Sequence, residues 1–120
     1  MSPSQPLRYV KALYVAHTLL EFVLGAIKLR GKYAGFDIAA CAPGAEKFAR
    51  HHGVALLSLA ALGEEVLRRR LCHSTTAEVI SAALAVFHWG CVLVMLQAWS
   101  LHTLAMHLPF AIGFTWHAFI

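Results

Sequence analysis

The sequence predicts an all-α protein, a four-transmembrane-helix antiparallel bundle, and three observations lead to this fold class. Hydrophobic residues make up 59% of the 120 residues and charged residues only 13%, and the mean hydropathy is +0.64. A soluble domain carries about 25% charged residues and has too little interior for so much apolar surface. The apolar residues fall into runs of helical length, and basic residues lie at the ends of those runs, where lipid headgroups would be. The chain is therefore predicted to be a single integral membrane domain over residues 1–120.

The predicted spans cover four stretches of the chain: residues 9–29, 50–69, 76–99 and 101–120. About 20 helical residues cross the apolar core of a bilayer, and the first, third and fourth runs meet that length directly. The second run meets it only with polar flanks, because its uncharged stretch "VALLSLAALG" is short and it ends in "EEVLRRR". The segment "AWSLH" between the last two runs predicts a tight turn with Ser100 as a helix cap.

A carboxylate in the middle of the first run, "YVAHTLLEFVLGAIKL", requires a partner inside the bundle. An ionised carboxylate at mid-membrane depth costs roughly 2.5–3.5 kcal/mol on insertion scales. His17 lies one helical turn before Glu21, and His88 lies near the middle of the third run. We expect Glu21 to pair with His88 in a buried polar core of His17, Glu21 and His88, which would fix the register of the helices. A proton relay and a metal or cofactor site are the alternatives, since His17 and Glu21 at i, i+4 can hold one metal jointly.

Eight histidines raise the question of haem. A b-type haem inside a helix bundle needs two histidines on facing helices at similar depth. The candidate ligands are His51, His52, His102 and His107, combined as His52–His107 or His51–His102. Histidines at the membrane interface explain the same residues without a cofactor. The sequence thus favours no cofactor, with haem b as the alternative.

The end of the second run carries an interfacial basic cluster of Arg68, Arg69 and Arg70. Glu64 and Glu65 precede it at the i, i+4 spacing of helical ion pairs. The pattern predicts a solvated helix end, or alternatively a dock for lipid headgroups or a partner. The net charge of +4 is spread over the ends of the runs and does not indicate a nucleic-acid partner. Because the basic residues divide equally between the two sides of a four-span arrangement, they predict no orientation.

The segments "LGAIKLRGKY" and "FARHHGVALLSLAALG" resemble the DoxX-like small membrane proteins, whose first helix ends in a Gly-x-x-Lys segment, here Gly25 to Lys28. The resemblance implies a compact four-helix accessory protein of the membrane, in some cases associated with redox or thiol metabolism. It implies no catalytic residues for this chain, and Glu21 has no counterpart in the family pattern.

These observations predict a multi-pass membrane protein that acts as a non-catalytic accessory or assembly subunit. The sequence contains no G-x-S-x-G elbow, no C-x-x-C pair and no glycine-rich phosphate loop. The expected partners are the lipid bilayer and other membrane subunits or further copies of the chain. A haem-binding membrane redox protein and a small proton- or ion-coupled carrier are the alternative functions.

Overall fold

A computed structural model describes residues 4–33, 35–97 and 101–120, with side chains from residue 8 onward, and it confirms the all-α class. The helices are α1 (Ser4–Leu29), α2 (Ile38–Cys41), α3 (Glu46–Arg68), α4 (Thr75–Gln97) and α5 (Leu101–Phe119). A small antiparallel ribbon of β1 (Lys32–Tyr33) and β2 (Phe36–Asp37) lies in the first connection. The predicted cap Ser100 lies outside the described residues.

Within the part of the chain that the structure describes, two helices are long and apolar enough to cross a membrane: Arg8–Leu29 and Thr75–Gln97. By composition, α3 is less apolar because acidic and basic residues lie at both of its ends, and α5 contains three histidines and a proline. The structure therefore supports two possible membrane-spanning helices, and the four-span arrangement remains a prediction.

The chain divides into two compact units. The first unit contains the chain up to Leu13 together with Val66–Ile120, and the second unit contains Tyr14–Glu65. The helix α1 contributes its first turns to the first unit and its remaining turns to the second. Each unit has its own helix pair, α4 with α5 in the first and α1 with α3 in the second.

Small residues allow α1 and α3 to approach closely in the second unit. A Cβ added at Gly53 would lie 2.7 Å from the backbone nitrogen of Leu29 and 2.9 Å from the carbonyl oxygen of Gly25. Further along α3, Gly63 lies directly against the hydroxyl of Thr18. Since the end of α1 meets the start of α3, the two helices are antiparallel. Close backbone approach at small residues is typical of helix pairs in membranes.

The helix α1 ends at Leu29, and Gly31, two residues further on, adopts the left-handed conformation. Gly31 has a φ of 72°, which glycine adopts without a steric penalty, and its carbonyl accepts a hydrogen bond of 2.9 Å from the N–H of Ile38. The guanidinium of Arg50 on α3 donates a 2.8 Å hydrogen bond to the carbonyl of Leu29 and also pairs with Glu46. One of the carbonyls that every helix end leaves unpaired therefore finds a side-chain donor.

The first unit is built on the hairpin of α4 and α5. Ser74 caps α4, because its hydroxyl oxygen accepts a 3.2 Å hydrogen bond from the N–H of Ala77. Leu84 of α4 and Phe114 of α5 are almost fully buried. The indole N–H of Trp89 donates a 2.9 Å hydrogen bond across the pair to the hydroxyl of Thr115. Polar contacts as well as apolar packing therefore hold this hairpin together.

Candidate functional site

Glu21, the acid in the middle of α1, is buried together with His17. The exposed fraction is 1% for Glu21 and 0% for His17. Nε2 of His17 and Oε1 of Glu21 are 3.5 Å apart, which is long for a hydrogen bond but within the range of an ion pair with a protonated imidazole. The i, i+4 spacing places the two side chains on one face of the helix. The helix α1 itself therefore supplies a neighbour for the buried carboxyl group.

His88 of α4 meets His107 of α5 inside the first unit. Their Nδ1 atoms are 3.0 Å apart, so one ring carries the proton at Nδ1 and the other accepts it. His88 is fully buried, and aromatic rings surround it. Its ring stacks on that of Phe114 with centroids 6.0 Å apart, and Phe87 and Phe110 lie within 5.4 Å of it, centroid to centroid. Two imidazoles that share one proton in apolar surroundings can cross-link the helices or pass a proton.

A second histidine bridge joins both helices to the connection before α4. Nε2 of His117 lies 3.0 Å from the carbonyl oxygen of Cys72, so this nitrogen donates the hydrogen bond. Nδ1 of the same ring lies 2.7 Å from the hydroxyl oxygen of Ser81, and in a neutral imidazole it accepts the serine proton. Ser81 is fully buried. The bridge therefore gives a buried hydroxyl its partner and fixes the tautomer of the imidazole.

Both bridges bring together residues that the sequence analysis did not connect. The sequence pattern predicts His107 as a haem ligand and does not indicate the contacts of Ser81 and His117. The sequence feature that could have indicated these contacts is the short segment between the third and fourth apolar runs. In a helical hairpin, residues at similar distances from the connection face each other, and this holds for His88 with His107 and for Ser81 with His117.

The four candidate haem ligands lie in different surroundings. His51, His52 and His102 are exposed, and His107 is half-buried. Nδ1 of His52 accepts a 2.7 Å hydrogen bond from the ammonium group of Lys28, whereas Nδ1 of His107 is engaged with His88. The predicted ligand pairs His52–His107 and His51–His102 each combine one histidine from each unit. Haem binding therefore remains a prediction.

The pairing of Glu21 with His88 also remains a prediction. His88 is buried, as Glu21 is, but the two residues belong to different units. Within its own unit each already has an imidazole neighbour, His17 for Glu21 and His107 for His88. All three members of the predicted polar core are therefore buried, and their assembly into one core remains a prediction.

The arginines of the basic cluster lie at the end of α3, and all three are exposed. Arg68 is the last residue of the helix, and Arg69 and Arg70 follow it. Arg70 has a φ of 56°, in the left-handed region where residues other than glycine are uncommon. This backbone conformation sets Arg70 apart from its two neighbours.

The three cysteines are free thiols with different accessibility: Cys41 is exposed, Cys72 is buried and Cys91 is half-buried. Burial raises the pKa of the Cys72 thiol, while a hydrogen bond from its own backbone and the nearby ammonium group of Lys11 act in the opposite direction. A thiol with a raised pKa is a weak nucleophile at neutral pH. Cys72 is therefore suited to packing rather than to chemistry.

No protein-family model matches the sequence, no curated protein matches it, and no solved structure matches the fold. What the fold and the buried groups define is a class: an all-α protein with two candidate membrane helices and two buried clusters of ionisable side chains. The DoxX-like resemblance remains a prediction.

Proposed function

We propose that this chain is a multi-pass integral membrane protein that serves as a non-catalytic accessory or assembly subunit. The observation that carries the proposal is the distribution of residues around α4. Its outward positions Val79, Val86 and Leu93 have exposed fractions of 65%, 74% and 62%, whereas its inward positions include Ser81 and His88, which are fully buried. A helix with an aliphatic outer face and a polar inner face suits a lipid environment.

The same distribution extends to other helices. In α1, Leu19 and Phe22 are about 60% exposed while Glu21 is buried, and in α5 the exposed residues include Ile112 and Phe119. Exposed aliphatic and aromatic side chains on this scale mark a surface that lipid or protein covers. We therefore extend the proposal to four spans, with α3 and α5 joining the two helices that meet the length and hydropathy criteria.

The accessory role is supported by what the polar side chains do. The contacts of His88, Ser81 and Trp89 all run from α4 to α5 and hold the helices in register. Polar side chains used in this way stabilise a bundle and leave its outer apolar surface for lipid and neighbouring subunits. The DoxX-like resemblance fits a small accessory protein of this kind.

A pair of arginine substitutions tests the membrane placement. In a membrane, Val86→Arg puts a charge near mid-depth and costs about 2.5–3.5 kcal/mol of insertion, whereas Thr76→Arg at the exposed start of α4 costs little. The assay is the fraction of protein that resists alkaline carbonate extraction from membranes. The expected result is a larger carbonate-extractable fraction for Val86→Arg than for Thr76→Arg, since the other proposed spans still hold part of the protein in the membrane. Equal behaviour of the two variants is expected for a water-exposed helix and would overturn the proposal.

The accessory role needs its own measurement. Purification from native membranes in a mild detergent is expected to recover a second membrane protein in fixed stoichiometry. The same purification of the Val86→Arg variant is the control, and it should not recover the second membrane protein. Recovery of the chain alone, together with a turnover of its own, would contradict a non-catalytic role.

A small proton-coupled carrier is the second candidate, and the observation that favours it is the 3.0 Å contact between the Nδ1 atoms of His88 and His107. In liposomes, a carrier would give an uncoupler-sensitive flux that disappears in His107→Leu. His102→Leu is the matched control, because His102 lies on the same helix and is exposed. A flux that survives in His107→Leu, or no flux at all, would remove this candidate.

A further inference from the structure

The turn after α3 places an arginine where helices normally end in glycine. The N–H of Leu71 donates a 2.9 Å hydrogen bond to the carbonyl of Val66, and the N–H of Arg70 donates a 3.1 Å bond to the carbonyl of Leu67. These two bonds define a Schellman motif, whose left-handed position glycine usually occupies. Arg70 occupies it here with a φ of 56°. Its side chain is thus held at this point at a conformational cost that glycine would avoid.

A cavity of about 470 Å³ lies beside this turn, within the first unit. Its lining consists of residues from the start of α1, the end of α3 and the connection to α4: Arg8, Lys11, Leu67, Arg70, Cys72 and His73. Cys72 is buried, whereas the basic residues are exposed. The volume falls within the range of sites for small ligands, roughly 300–1,000 Å³.

The described residues of the lining are basic or uncharged, and none of them is acidic. Arg8 and Lys11 lie three residues apart on one face of α1, and Arg70 reaches the same cavity from the end of α3. Among the described side chains, no carboxylate pairs with Arg8, Lys11 or Arg70. Three positive charges, two from α1 and one from the turn after α3, therefore line one cavity, and no carboxylate among the described side chains pairs with them. Such a concentration of positive charge attracts an anion.

We infer that this cavity binds a phosphate-bearing anion, which Arg8, Lys11 and Arg70 hold. Guanidinium groups form paired, charge-assisted hydrogen bonds with phosphate oxygens, and an ammonium group adds a point charge. The volume accommodates a phosphate together with a small substituent such as glycerol. The phosphate can belong to a lipid headgroup or to a free anion. The inference uses the geometry of the first unit alone and does not depend on the proposed accessory role.

The test measures the Tm of the full-length protein in detergent as an anion is added, since a ligand that binds only the folded state raises the Tm. The two probes are inorganic phosphate, compared with sodium chloride of equal ionic strength, and phosphatidylglycerol, compared with phosphatidylcholine. Arg70→Gly is the main variant, because glycine suits the left-handed position and the fold is expected to gain stability without anion. Arg69→Gln is the matched control, since Arg69 is a neighbouring exposed arginine that does not line the cavity.

The expected result is a rise in Tm for the wild type and for Arg69→Gln, with about tenfold more anion needed by Arg70→Gly and by Arg8→Gln. A response to both probes would identify a general phosphate site. A response to phosphatidylglycerol alone would identify a lipid headgroup site. No response of the wild type beyond the salt and phosphatidylcholine controls would overturn the inference. An equal loss in Arg69→Gln and Arg70→Gly would overturn it too, because it would show attraction by bulk charge only.

Discussion

Replacing Gly53 by alanine tests how closely α1 and α3 approach in the second unit. The new Cβ would lie 2.7 Å from the backbone nitrogen and 3.2 Å from the Cα of Leu29, and 2.9 Å from the carbonyl oxygen of Gly25. All three atoms belong to the backbone, so no side-chain rotation can relieve the overlap. The helices must separate locally, and the contacts around Gly53 must loosen.

Two opposing effects set the size of the change. Alanine favours a helix over glycine by about 0.8–1.0 kcal/mol. Inserting a methyl group into a packed contact costs about 1–3 kcal/mol, and a backbone overlap lies at the upper end of that range. We therefore expect Gly53→Ala to lower the free energy of unfolding by about 1–2 kcal/mol, the difference between the two terms.

Gly90→Ala in α4 is the matched control. In the part of the chain that the structure describes, no neighbouring atom lies within 4 Å of a Cβ added there. Only the helix preference of alanine acts, so Gly90→Ala should leave stability unchanged or raise it by up to about 1 kcal/mol. Unfolding in mixed detergent–SDS micelles, followed by far-UV circular dichroism, gives both values. If Gly53→Ala is as stable as Gly90→Ala, the close approach of α1 and α3 is refuted.

Three further predictions concern the cysteines, the candidate haem ligands and the predicted Glu21–His88 pair. Maleimide should label Cys41 readily and Cys72 slowly at neutral pH. The labelling rate of Cys72 should increase towards alkaline pH because the pKa of its thiol is raised. Equal rates for the two thiols at neutral pH would contradict the burial of Cys72. The absorbance spectrum of the purified protein, oxidised and then reduced with dithionite, tests haem: a Soret band that His52→Ala abolishes would establish it, and a colourless protein would exclude it. In a double-mutant cycle, the changes in the free energy of unfolding caused by Glu21→Gln and His88→Leu should be coupled by about 0.5–3 kcal/mol if the two side chains pair. Additive changes would contradict the pairing.

The sequence predicted the all-α class, which the structure confirms. Apolar runs and their charged ends predicted spans at 50–69 and 76–99, and the structure places helices at Glu46–Arg68 and Thr75–Gln97. The differences at the ends arise because polar residues such as Glu46 extend a helix without contributing to hydropathy. The ribbon after α1 was not predicted, since it consists of two residues per strand and depends on turn geometry rather than on periodicity.

The candidate site was predictable only in part. Burial of Glu21 and His88 followed from their positions in apolar runs, because lipid offers them no partner. The partner of each polar group depends on how the helices face one another, which one-dimensional spacing does not contain. Arg70 shows the limit most clearly: sequence alone grouped it with its two neighbours, and only its left-handed backbone separates it from them.

The polar bridges between α4 and α5 have a consequence for biogenesis. The side chains of Ser81 and His88 on α4 form hydrogen bonds with His117 and His107, which follow later in the chain. These two bonds can therefore form only after α5 has been synthesised. Contacts that are close in sequence form early and at a small entropic cost. We therefore expect the last two helices to enter the bilayer as a pair. A chain that ends after residue 100 lacks both bonds, and we expect it to be degraded faster than the full-length chain although it keeps both candidate membrane helices.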